Sequence, residues 1–491
     1  MPVSLKVPKK PSPLFERLSP KQQQGVLAAA SVDGFAAFFA QRTGKTWLTC
    51  GLLEYCDDQS VLIVGPKTNL VSTWQKTLQN LLPHYSVFFS IEDVIVFKKA
   101  WQKAWGDTPC YYILLLNYEA LPGSLKKIKK LRWNRIVYDE AQRLKGRTSK
   151  NSRNAATLVR ISDRRIALTG TPLDKHPIDL WAIFRFVEPL LLGSNWKTFE
   201  EEFLEDLTQA ILAKIKKAKG VVIRQRLMLQ LRIVKSKPKF REDMWDEFIE
   251  RIAPHTMAVT KEDAGITPAK IHYVPVQLFG KQRRAYEQLE QTMVVNLGKL
   301  TVTTALKIVR NGKLQQLTGG HIKDEEGRTR VVGDAKMRKL EVLLKRHKPP
   351  IAIFAKHTYD IEMILEACRE RSDRVGVVWG RVKDGKVKKP RTDTINAFQD
   401  GKLDYIVCQQ RTGGVGVDLF KARKAFVYSM GHSWIDYDQM MSRLDFLNQT
   451  ERAEFFLLFC VETIDEDIIT ALEEKRSVSQ VTLDRLKRRR L

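Results

Sequence analysis

The chain has 491 residues, 43% hydrophobic and 28% charged, an ordinary globular balance in a length too great for one core. Lysine plus arginine number 83 against 56 acidic residues, a formal net charge of +27. A balance that basic points to a polyanionic partner, most simply nucleic acid. The six cysteines form no CxxC pair and have no histidine at zinc spacing, so they read as reduced core residues of an intracellular protein. The opening MPVSLKVPKKPSPLF lacks an apolar signal core. No run of about 18 uncharged apolar residues occurs, which argues against a membrane span.

Residues 1–13 are rich in proline and lysine and read as a loose arm. LSPKQQQGVLAAA follows, a helix start with Ser19 as cap and Pro20 in its first turn. Gln22 has an amide suited to an adenine edge, although a plain surface glutamine fits this stretch as well. Next, FAAFFAQRTGKTW (35–47) has an apolar run, a short polar loop and Gly44-Lys45-Thr46 opening a helix. This is the second half of a phosphate-binding loop. Lys45 can reach β- and γ-phosphates, and Thr46 can offer its hydroxyl to Mg²⁺. The full pattern wants glycine where Phe39 stands.

Short apolar strands then recur. VLIVG ends at Pro66, ILLLNYEAL spans 113–121, RIVYDEAQRLKG spans 135–146 and RRIALTGTP spans 164–172. They alternate with helical stretches, the pattern of a parallel βαβ sheet. Asp139-Glu140 stands where a buried strand emerges. Asp139 is the metal candidate and Glu140 the base for an attacking water. Thr169 and Thr171 are placed to relay nucleotide state, or simply to form a turn before Pro172.

QRTGKT, NYEAL, YDEAQ and LTGTP, in this order, resemble motifs I, Ic, II and III of superfamily-two helicases, in the sub-pattern of the Swi/Snf-like ATPases. LSPKQQQGV is similar to that family's glutamine motif and VGPKTNLVSTW to its motif Ia. The resemblance runs over residues 14–475. It implies an α/β fold of two RecA-like parallel-sheet lobes with a helical basic insertion between them, and use of ATP and Mg²⁺. For the first lobe it implies nucleotide contacts at Gln22, Arg42, Thr43, Gly44, Lys45 and Thr46, and DNA contacts at Lys67, Thr68 and Asn117. Arg42 departs from the family glycine. It must point away from the phosphates or join them as an extra cation.

Ten cations lie between 206 and 240, among them Lys214, Lys217 and Arg224, interleaved with apolar residues as in VVIRQRLMLQLRIV. These read as helices with one apolar stripe and one cationic face that can line a duplex. The segment YEQLEQTMVVNLGKLTVTTALKIVRNGKLQQL then reads as helical. Strands resume with IAIFAKH (351–357), RVGVVWG (374–380), DYIVCQQ (404–410) and KAFVYS (424–429), a second parallel sheet without its own GKT. IAIFAKHTYDIEMIL resembles motif IV and RTGGVGVDLF motif V. They imply DNA contacts at Lys356 and Arg411 and nucleotide contacts at Gly414, Gly416 and Asp418. DQMMSRLDFLNQT places Gln439 and Arg443 on the family's last motif, which implies nucleotide contacts for both and a catalytic role for Arg443. Phe446 stands where the family has its second arginine.

The expected organisation is an arm (1–13), a first lobe (14–204), a helical basic insertion (205–258), a helical linker region (259–330), a second lobe (331–475) and a basic tail (476–491). The reading is a motor that couples ATP hydrolysis to movement on double-stranded DNA, with Glu140, Lys45 and Arg443 catalytic. It is expected to be monomeric and off the membrane, in the cytoplasm of a bacterial or phage-infected cell, or in a nucleus if eukaryotic. Phe446 and Arg42 motivate an alternative, a hydrolysis-poor clamp or recruiting module. A strand-separating enzyme on single-stranded DNA or RNA shares the same chemistry.

Overall fold

The computed structural model describes residues 12–488 apart from 147, 174–176, 194, 219, 237–238, 293, 298–299, 304–306, 325, 381–390, 412–417 and 446–450. Two compact units divide the chain, Met1–Thr260 with Val478–Leu491, and Lys261–Ser477.

The first unit is built on seven strands: β1 (Gly34–Phe39), β2 (Ser60–Gly65), β3 (Ser86–Phe88), β4 (Tyr112–Asn117), β5 (Trp133–Asp139), β6 (Ser162–Leu168) and β7 (Thr256–Val259). All pair in parallel, in the order β3-β4-β2-β5-β6-β1-β7. β1 and β2 are buried along their whole length, as continuous apolar runs covered on both faces must be. The order makes the carboxyl ends of β5, β6 and β1 neighbours, which is where ligands bind in open parallel sheets.

β3 and β7 were not expected. Each is only three or four residues long, too short to show a period. β7 occupies the end of the stretch expected to be helical insertion, and it pairs with β1 from Ala36↔Thr256 to Phe39↔Val259. The helical part of the insertion is Leu207–Lys217 and Val221–Ser236. Its base is clipped by an antiparallel bridge, Leu204↔Phe240, and by the hydrogen bonds Glu205 N to Lys239 O (2.9 Å) and Arg241 N to Phe203 O (2.9 Å). Phe203, Phe240, Trp245 and Phe248 close an aromatic cluster there.

The second unit carries β8 (Lys270–Val276), an antiparallel pair β9 (Val294–Leu297) and β10 (Leu300–Thr303), and a second pair β11 (His321–Lys323) and β12 (Thr329–Val331). Then come β13 (Ile351–Ala355), β14 (Val375–Val378), β15 (Tyr405–Gln409), β16 (Lys424–Val427) and β17 (Glu454–Cys460). The main sheet runs β14-β15-β13-β16-β17-β8, all parallel. Pro275 cannot donate to a ladder, and β8 is an edge strand that tolerates it. The stretch expected to be helical is instead helix Gly280–Thr292, the β9–β10 hairpin and helix Lys307–Thr318. The β-branched Val294, Val295, Thr301, Val302 and Thr303 favour strand over helix.

The tail continues a helix, Ile464–Arg488. Leu486 is buried in the first unit's core, Arg485 pairs with Asp246 (3.3 Å) and Lys487 donates to Thr260 Oγ1 (3.2 Å). Among the described residues no helix is long and apolar enough to cross a membrane.

Beyond β13, Asp360 is fully buried. Its Oδ2 accepts from Ser429 Oγ (2.5 Å), His321 Nδ1 lies 3.3 Å from Oδ1, and Lys336 is paired with Asp465 nearby (2.6 Å). Burial pushes the Asp360 carboxyl up to about 7, opposed by the Ser429 hydrogen bond and the Lys336 charge. The folded protein therefore keeps a proton that an unfolded aspartate releases near about pH 4. The stability this group contributes is full below that pH and is lost as pH rises through about 7. Asp360→Asn keeps the shape and cannot ionise. It is expected to raise the thermal midpoint more at pH 8 than at pH 4, as calorimetry would read.

Candidate nucleotide site and nucleic-acid interface

The loop after β1 turns on two left-handed residues, Arg42 (φ 72°) and Gly44 (φ 85°). Glycine takes that conformation freely, whereas at Arg42 it costs of order 1 kcal/mol. Thr43 Oγ1 donates to Ala40 O (2.8 Å) and tightens the loop. Gly44 caps the helix Lys45–Tyr55, and Thr46 lies half-buried in its first turn. Lys45 Nζ donates to Phe39 O (3.0 Å), Ala40 O (3.3 Å) and Gln41 Oε1 (3.4 Å).

Gln22 is committed to the protein at both ends of its amide. Its Oε1 accepts from Ser19 N (2.9 Å) within a capping box, and its Nε2 donates to the carbonyls of Thr43 and Gly44 (both 3.3 Å). It supports the loop between β1 and the helix Lys45–Tyr55 through those two carbonyls. A Cβ on Gly44 would lie 2.0 Å from Gln22 Nε2 and would push that amide off the loop carbonyls, while the positive φ favours glycine there.

Asp139 ends β5, and Glu140 follows in a left-handed conformation (φ 53°). Such strain persists only where neighbours enforce it. Tyr118 does so, its hydroxyl donating to Asp139 O (2.8 Å) and Glu140 O (3.3 Å). Asp139 Oδ2 accepts from Trp74 Nε1 (3.0 Å) and Asn69 Nδ2 (3.3 Å), and Oδ1 accepts from Glu140 N (3.0 Å). Burial, then the charge of Glu140, push the Asp139 carboxyl up, against those hydrogen bonds and the charge of Lys45. Two adjacent carboxylates in a buried site are what a divalent cation would relieve. The Thr46 hydroxyl and the Asp139 carboxylate are the hard oxygen donors Mg²⁺ takes, usually keeping several waters. Among the described residues no group of three or more His, Cys, Asp or Glu could hold a metal alone.

Gln142 Nε2 donates to Glu140 Oε2 (2.5 Å), and Thr169 Oγ1 donates to Gln142 Oε1 (2.6 Å). Thr171 N in turn donates to Thr169 Oγ1 (3.1 Å). A polar chain thus runs from Glu140 to the segment after β6. Tyr118, Trp74, Asn69 and Gln142 all lie inside motifs the sequence made visible, but their supporting roles did not follow from the motifs.

Lys67 and Thr68 are exposed in the turn after β2, and Asn117 ends β4, accepting from Ala120 N (2.6 Å). The parallel sheet brings these three to the same rim as the phosphate loop and Asp139-Glu140. Lys214, Lys217 and Arg224 are exposed on the insertion's helices.

In the second unit, Lys356, Gln409, Gln410, Arg411, Gly431 and Ser433 help line a cavity of about 230 Å³ at the carboxyl ends of β13 and β15. Lys356 Nζ donates to Gln315 Oε1, and burial pulls its ammonium pKa down. The Arg411 side chain is 87% exposed and lies 3.6 Å from Asp436. Asp418 O accepts from Gln399 Nε2 (2.7 Å), and Gln439 is half-buried in the helix Trp434–Met441. Arg443 is only 3% exposed, and its charge acts on the buried Cys408 thiol of β15. Gly414, Gly416 and Phe446 lie outside the described residues.

A family model described as the SNF2-related domain matches residues 18–325, and one described as the helicase conserved C-terminal domain matches residues 335–445. The chain is 23% identical over 395 residues to the CHD3-type chromatin-remodeling factor PICKLE of Arabidopsis thaliana, covering 76% of this chain and 26% of that protein. It is 23% identical over 496 residues to the ISWI chromatin-remodeling complex ATPase ISW1 of Saccharomyces cerevisiae, covering 95% and 40%. It is also 23% identical over 436 residues to the putative ATP-dependent helicase/translocase YwqA of Bacillus subtilis, covering 85% and 42%. The chain therefore spans between a quarter and about two-fifths of these relatives' lengths. A solved structure, the Sulfolobus solfataricus SWI2/SNF2 ATPase core in complex with dsDNA, aligns with a TM-score of 0.40 and 22% identity over 97% of this chain and 98% of that one.

Proposed function

The chain belongs to the SNF2-related family and carries a helicase conserved C-terminal domain; from that premise we propose that it hydrolyses ATP and uses the cycle to move along duplex DNA. The observation that carries the reading is the position of Glu140, fixed by Gln142 and Tyr118 on the rim that also holds Lys45. Lys45 holds phosphate oxygens, with the backbone amides of the helix start beside it. Glu140 takes the proton of the attacking water at its carboxylate. Thr46 and Asp139 would hold Mg²⁺, which would supply charge neutralisation for the phosphates when bound. The chain Gln142–Thr169–Thr171 passes the position of Glu140 to the segment after β6. Lys67, Thr68, Asn117, Lys356, Arg411 and the cations of the insertion engage the DNA backbone, whose phosphates are a uniform track for a basic protein.

Phe446 favours one second reading, a clamp that hydrolyses poorly for want of an arginine. Phosphate release measured with and without blunt duplex DNA separates the two. Clear stimulation by duplex is expected, without strand displacement on forked DNA or RNA. A rate indifferent to DNA would end the motor reading.

A further inference from the structure

We propose that Gln41 is a positioning residue for Glu140. The assignment rests on the reading of Glu140 as the base. Gln41 follows β1, next to the left-handed Arg42. Its Oε1 lies 3.4 Å from Lys45 Nζ and its Nε2 lies 3.5 Å from Glu140 Oε1. An ammonium only donates and a carboxylate only accepts, so one orientation of the amide serves both neighbours. The space around it is closed from the segment after β6. A Cβ on Gly170 would lie 3.0 Å from Gln41 N and 3.2 Å from Gln41 Nε2. Glycine at 170 therefore lets that segment press on the Gln41 amide.

Glu140 is thus addressed from two sides. Gln142 donates to Oε2 and Gln41 to Oε1, one amide per oxygen. Each oxygen keeps a lone pair for the water, and the carboxylate loses the freedom to rotate away. Gln41 also ties the base to Lys45, the cation that meets the phosphates, so the two groups hold a fixed separation. Contacts of 3.4 and 3.5 Å are at the long end of hydrogen bonding and add little to stability. The consequence of losing them belongs in the rate. A misplaced base slows chemistry without weakening substrate binding.

The experiment compares Gln41→Met and Gln41→Glu with the parent protein in steady-state ATP hydrolysis with duplex DNA, with thermal midpoints as a folding control. Gln41→Met removes both contacts. Gln41→Glu keeps an acceptor for Lys45, loses the donor to Glu140 and adds a like charge. Both are expected to lower kcat by about 10-fold or more, with KM for ATP unchanged within about twofold and midpoints unmoved. In a Glu140→Gln background, Gln41→Met is expected to have no further effect on single-turnover rate, which a general structural defect would not reproduce. Parental kcat in Gln41→Glu would assign the residue to Lys45 instead. A raised KM at unchanged kcat would assign it to binding, and either result overturns the proposal. A parent protein that releases no phosphate would overturn the functional reading itself. An active parent matched by Gln41→Met would overturn only this inference.

Discussion

Glu140→Gln is expected to lower ATP turnover by about 10³-fold, in the middle of the range for loss of a general base, and to leave nucleotide binding intact. The substitution is nearly isosteric. The strained backbone at Glu140 (φ 53°) is held by Tyr118 through carbonyls that the change does not touch. Gln142 Nε2 still finds an oxygen to donate to, and the amide nitrogen replaces the oxygen that met the long contact from Gln41 Nε2. What disappears besides that contact is the ability to take a proton. Lys45→Ala should behave differently, because the lysine is the cation of the loop itself. Both binding and turnover should fall. A fluorescent-nucleotide titration run beside phosphate release distinguishes the two variants. Turnover within about tenfold of the parent in Glu140→Gln would remove Glu140 from the chemistry.

The elements that carry these candidate residues are legible in the sequence. Gly44-Lys45-Thr46 must open a helix because the loop before it ends a buried strand, and Asp139-Glu140 must emerge at a strand's carboxyl end for the same reason. What the motifs did not disclose is how their residues are held. Gln22 carries an amide fit for a base edge, and nothing in LSPKQQQGV reveals that both ends of it serve Ser19 and the loop carbonyls. Trp74 and Asn69 are fifty or more residues from Asp139 in sequence, so their hydrogen bonds to it are products of strand order. The short strands escaped for a related reason. β7 is strand because β1 offers it an edge, and four residues carry no period of their own. The β9–β10 hairpin was a different kind of miss. Its apolar residues fit a helical stripe, while their β-branching argued for strand, and branching won.

Duplex binding is expected to weaken by about 10³-fold between 50 and 200 mM salt if roughly six phosphates are neutralised. The insertion should account for a definite share of that slope. Lys214, Lys217 and Arg224 are exposed on two helices whose base is clipped at Leu204↔Phe240, so neutralising them leaves the anchoring aromatic cluster untouched. Lys239, by contrast, sits at the base and is paired with Glu205 at 2.6 Å. Changing Lys214, Lys217 and Arg224 together to glutamine removes three cations at little cost in stability, as expected for exposed positions. Each lost phosphate contact lowers the slope of log affinity against log salt by about 0.9, so the triple variant should lose nearly 3 units of slope. Its affinity should approach that of the parent at high salt, where counterion release contributes least. Fluorescence anisotropy of a labelled duplex across the salt series reads both quantities. If the slope stays that of the parent, the basic helices do not lie on the DNA, and the excess of 83 basic over 56 acidic residues must act through another face of the protein.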